Sequence, residues 1–143
     1  MISCTEFIPA YSELFAFIEE KEGYEGVKKY WEHISKNYVE PRLGQEIEKN
    51  GLEGCWEYWS QSLNEEAADF TMTLDEDEGY FEIDMRACPS KGKLLSLPYF
   101  KAYPHYCDHC DMLYRLVAER FGFKYEYDMS QCDKAKCKLR ISR

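Results

Sequence analysis

Positive charge is scarce in this sequence. Lysine and arginine number 18 against 27 aspartates and glutamates, so the 143-residue chain carries a formal charge of −9. That balance argues against nucleic acid as a partner, because a basic face supplies most of such affinity. It argues equally against anionic membrane surfaces. Long apolar runs are missing too: no stretch of about 18 apolar residues exists, so no membrane span is expected. The opening residues, Met1 to Glu6, have neither a basic segment nor a long apolar one, so no signal peptide is expected. Histidine is rare, with three copies, and no internal repeat or linker interrupts the chain.

Cysteine, in contrast, is plentiful. Seven is an odd count, and with no export signal they read as reduced thiols of a cytoplasmic protein, not as a disulfide framework. Aromatics make up 16% of the chain, twelve of them Tyr, which pairs an apolar body with a polar tip. The length suits a single domain over 1–143 that buries roughly 70% of its unfolded surface.

The first part, 1–67, reads as helical. Leu14, Phe17, Ile18 and Lys21 share one side of a helix over 10–22 that Gly23 ends. Tyr24, Val27, Trp31, Ile34 and Tyr38 follow helical spacing, and His33 falls off that stripe, toward solvent. Pro41 is expected to begin a short helix with Leu43 and Ile47, closed at Asn50-Gly51. A fourth helix runs through Cys55, Trp56, Trp59 and Leu63, with Cys55 a small buried apolar group.

At Ala68 the period changes to two, and the second part, 68–143, reads as hairpin, helix, hairpin. Phe70, Met72 and Leu74 alternate with polar residues, as do Phe81, Ile83 and Met85. The acidic run 75–78 before Gly79 reads as a solvated turn, since it lacks the ligand spacing of a calcium loop. Cys88-Pro89 closes the second strand, and 90–93 reads as loop. Tyr125 and Tyr127, then Cys137, Leu139 and Ile141, form the last two strands. The outer face of the first is mostly acidic and that of the second basic, which favours antiparallel pairing. The fold class is α+β: a four-stranded antiparallel sheet of two hairpins, with a central helix on its apolar face and the N-terminal helices completing the cover.

That central helix is expected to open at Pro104, to bury Tyr106, Cys110, Leu113, Val117 and Phe121, and to stop at Gly122. Cys107, Asp111 and Tyr114 lie along a neighbouring face, and His105 with His109 along another. Cys107 near the helix N-terminus is a candidate nucleophile, because the helix dipole favours a thiolate. His105 or His109 could serve it as base and Asp111 could orient or accept a proton, whereas Asp108 and Asp111 oppose the dipole. Cys88 is a second candidate thiol. Cys107-x-x-Cys110 with Cys132-x4-Cys137 resembles a four-cysteine zinc layout. The first pair lies within a helix, and Cys137 faces the sheet interior while Cys132 sits in a turn. Zinc is therefore disfavoured, and no cofactor is expected.

The stretch from about Tyr80 to Ile141 resembles the L-2-amino-thiazoline-4-carboxylic acid hydrolase family. The residues that carry the resemblance are Cys88-Pro89 after a strand, Tyr106-Cys107 with Asp111 at a helix start, Gly122-Phe123, and a final strand Cys137-Lys138-Leu139-Arg140-Ile141. The last element is also similar to the 4-vinyl reductase type of small-molecule-binding domain. The resemblance implies a hydrolase that opens a cyclic amidine, with Cys107, Asp111, His109 and Cys88 catalytic. Tyr106, Tyr114 and His105 would contact the substrate. The alternative on the same fold is a non-catalytic small-molecule- or metal-binding domain of sensor type. In either case the expected partner is a small molecule, with neither nucleic acid nor membrane, and a homo-oligomer is compatible with the sequence.

Overall fold

A computed structural model describes residues 4–64 and 68–143, without the side chains of residues 4 and 5. The expected boundary between the two parts, at residue 67, lies outside the described residues, as do residues 1–3.

Helix α1 spans Cys4–Ile34 and kinks at Gly23, whose φ of 71° glycine tolerates without a side-chain clash. It starts earlier than expected and buries a different stripe. Ser12 and Phe15 are buried, while Leu14 and Phe17 face out, Phe17 at 58% exposure. The first helix has apolar residues on two faces, and contacts distant in sequence select between them. Ser12 Oγ accepts from the Tyr103 N–H at 2.8 Å, and the Phe15 ring meets those of Tyr11, Trp31, Tyr103 and Tyr106.

Beyond the kink, Val27 and Trp31 are buried as their spacing predicts. The 3.6-residue pattern then fails, because the chain widens into a π-helical stretch, Ser35–Gly44. Ser35, Val39, Leu43 and Ile47, four residues apart, become the buried row, and Tyr38 turns outward. Pro41 lies inside this stretch and starts no helix. Helix α2 (Gln45–Asn50) and helix α3 (Leu52–Asn64) follow. They cross closely at Gly54, where a Cβ would stand 2.1 Å from the Glu46 carbonyl oxygen.

Strands β1 (Asp69–Asp75), β2 (Tyr80–Ala87), β3 (Lys124–Asp128) and β4 (Cys137–Ser142) form one antiparallel sheet in the order β1-β2-β4-β3. Both expected hairpins form. Their joining through β2 and β4 has an electrostatic counterpart on the outer face. Arg140 and Lys138 of β4 lie opposite Glu82 and Asp84 of β2 and opposite Glu126 and Asp128 of β3. The basic strand is thus sandwiched between two acidic ones. On the inner face Phe81, Ile83, Met85, Tyr125, Tyr127, Leu139 and Ile141 meet the helices, and the Trp59 ring stacks on Phe81 at 5.5 Å.

Two connections differ from expectation. Residues 90–93, read as loop, lie in helix α4 (Pro89–Leu95), with Pro89 in its first turn. Cys88 is its N-cap, its Sγ accepting from the Lys91 N–H at 3.4 Å. The central helix α5 runs over Asp108–Arg120, later than Pro104. The residues between are consecutive turns, so Cys107 is the N-cap and not a residue of the first helical turn. No described helix is long and apolar enough to cross a membrane.

Candidate functional site

The inner face of the sheet and the helices over it do not close completely. Between them lies a cavity of about 290 Å³. Trp59 and Leu63 of α3, Ile83 and Met85 of β2, and Leu139 of β4 supply its apolar wall. Tyr114 of α5 with Tyr125 and Tyr127 of β3 supplies an aromatic one. Cys88, Ser90, Cys110 and Cys137 line one end, and among the described residues none that lines the cavity carries a charged side chain.

One of the tyrosine hydroxyls is anchored to the backbone of α5. Tyr125 donates to the Cys110 carbonyl at 3.2 Å. Tyr127 lines the cavity beside Cys110 and Cys137. The Tyr114 ring packs edge-on against that of Tyr58, centroids 6.2 Å apart. Burial pushes the Cys110 and Cys137 thiols up to about 12, so both are neutral S–H groups.

At the thiol end a second, smaller cavity adjoins. Cys88, Ser90, Cys110, Tyr127 and Cys137 line both spaces, and Lys91, Tyr106, Cys107, His109 and Cys132 face the smaller one. Five cysteines from four separate segments therefore meet within one wall. All six described cysteines other than Cys4 are unpaired thiols. Among the described residues no group of three or more His, Cys, Asp or Glu side chains is placed to hold a metal ion.

The sequence-predicted residues divide between this wall and the outside. Cys88, Tyr106, Cys107 and His109 face the smaller cavity, and Tyr114 faces the larger. Tyr106 shares a 2.6 Å hydrogen bond with Ser90 Oγ. Asp111 lines neither. Its Oδ1 accepts from Arg115 Nε at 3.0 Å and Nη2 at 2.6 Å, while Arg115 Nη1 also donates to the Tyr125 carbonyl at 2.7 Å. Its role is to tie α5 to β3, and an Asp-Arg pair at i, i+4 was the sequence signal for it. His105 lies outside as well. Its Nδ1 is 3.1 Å from Asp108 Oδ2, which also accepts from the Tyr24 hydroxyl at 2.7 Å.

His109 is enclosed by the rings of Tyr11, Phe15 and Tyr106. Burial lowers it from the ordinary 6.5 to about 4, so the ring is neutral. Its Nδ1 meets the Tyr106 carbonyl and must carry the proton there, leaving Nε2 to accept from the Cys110 thiol at 3.3 Å. The histidine base thus serves Cys110, not Cys107.

Cys107 itself runs opposite to expectation. Its S–H donates to Cys132, and that bond together with burial pushes its thiol well above the usual range. Cys132 is the sulfur held low, first by hydrogen bonding with Cys107 and then by the Lys91 ammonium, against its partial burial and the charges of Asp108 and Asp128. Sequence reasoning weighed Cys132 only as a zinc ligand, because its partner lies on another element.

No protein-family model, curated protein or solved structure matches the chain.

Proposed function

We propose that the chain is a small-molecule-binding domain whose ligand is compact, largely apolar and uncharged, with one hydrogen-bonding edge. The observation that carries this reading is the 290 Å³ cavity with its aromatic and aliphatic lining. Such enclosed apolar spaces with a few placed polar groups are the usual form of a ligand site. Tyr127, Ser90 and the Cys110 thiol provide the polar edge at one end. An anionic ligand would lose its hydration there and meet no countercharge. Calorimetric titration with 2-naphthol and 2-naphthoate tests this. The neutral ring should bind one per chain, and the carboxylate at least about tenfold more weakly. Equal affinity would overturn the reading.

The Cys110–His109 contact favours a second reading, the cyclic-amidine hydrolase that the family resemblance implies. A thiol beside a neutral imidazole at a cavity wall is a nucleophile with its base. In that case Cys110, rather than Cys107, would attack the C=N carbon. Wild-type protein would open 2-amino-thiazoline-4-carboxylate and Cys110→Ala would not. Binding without turnover in the wild type leaves the binding-domain reading standing alone.

A further inference from the structure

We propose that Cys132 and Cys107 form a peroxide-reactive thiol pair, converted by small hydroperoxides into an intramolecular disulfide. This goes beyond the ligand cavity and does not depend on what fills it. Cys132 opens the short 3-10 turn Cys132–Lys134 between β3 and β4, and Cys107 caps α5. Both residues line the same small cavity, of about 20 Å³, which brings the N-cap of α5 and the start of the turn together.

The turn is fixed in place. Ala135, at its end, takes a left-handed φ of 56°, and its carbonyl accepts from the Cys88 N–H at 2.8 Å. Gly92 of α4 faces Ala135, whose Cβ would lie 3.9 Å from a Cβ added at Gly92. These contacts hold α4 against the turn and bring Lys91 to the cavity that both sulfurs line. Cys132 is partly exposed and flanked by exposed Gln131 and Asp133, so a small oxidant can reach it.

The chemistry balances with the hydroperoxide as the sole oxidant. The Cys132 thiolate attacks the terminal peroxide oxygen, and an S–O bond forms as the O–O bond breaks. The released alkoxide or hydroxide takes a proton from water, leaving Cys132 as a sulfenic acid. The Cys107 sulfur then attacks that sulfur, forming S–S and breaking S–O. The Cys107 proton leaves with the hydroxyl as water. Two thiols and one hydroperoxide give one disulfide, one alcohol (or water) and one water, with two electrons passing from sulfur to oxygen.

The test is treatment of the reduced full chain with hydrogen peroxide, followed by non-reducing peptide mapping. The expected product has lost two hydrogens and joins Cys107 to Cys132. In Cys107→Ser, dimedone should trap a sulfenic acid on Cys132. In Cys132→Ser, peroxide consumption should slow at least about tenfold. A thermal melt checks that each variant folds, and the wild-type map needs no variant. The proposal is overturned by a disulfide between other cysteines, by an unchanged rate in Cys132→Ser, or by failure to oxidise under conditions that oxidise free cysteine.

Discussion

His109 shows how far burial decides what a side chain does. Enclosed by three aromatic rings, it titrates at about 4, against 6.5 for an ordinary histidine. A base held neutral in the fold and protonated when unfolded makes the unfolded state bind more protons between those values. Stability therefore falls as pH drops through 6.5, and this loss is complete below about 4. The full effect is on the order of 3 kcal/mol. Urea unfolding between pH 7 and 4 should show it, and His109→Gln should flatten that part of the profile. An unchanged profile would place the ring in water. The same burial made this residue hard to read beforehand. Helix spacing put His109 and His105 on one face, but the rings that separate them come from α1. Cys107 and Asp111 follow the same rule: spacing placed them together, while Cys132 and Arg115 drew them apart.

Among the elements, the strands were the most legible. Alternation identified all four and their inner faces, since a period of two has only two outcomes. Leu139→Ala should cost about 2 kcal/mol, near the low end for a core leucine because it already borders a cavity. Lys138→Ala, on the outer face, should cost well under about 1 kcal/mol. Equal costs in denaturant melts would contradict the register. Helical stripes were less legible where their period changed. The row Ser35, Val39, Leu43 and Ile47 has a spacing of four, which the 3.6-residue template misassigned to Tyr38. Val39→Ala should therefore destabilise by about 2 kcal/mol, and Tyr38→Ala by less than about 1. Reversed costs would mean that the stretch is ordinary α-helix in solution. Helix α4 was missed for a different reason. Cys88-Pro89 closes a strand, as its sequence suggests, and is at the same time the N-cap and first turn of a helix.

For the whole molecule, the four-stranded sheet, the helix over it and the covering N-terminal helices were accessible from pattern. The space between them was not. A cavity depends on how two layers fail to fill one another, and that is set by pairs such as Trp59 on Phe81 that no periodicity contains. Whether this space is a ligand site, as proposed, or a packing defect is open to direct test. The most direct measurement combines melting temperature with 2-naphthol affinity in Leu139→Phe, which adds volume at the cavity wall. A ligand site at this wall requires a melting temperature at or above wild type, because the ring enters empty space, with affinity reduced at least about tenfold. A fall in melting temperature with affinity unchanged would contradict it, showing that Leu139 faces a filled core and that the ligand binds elsewhere.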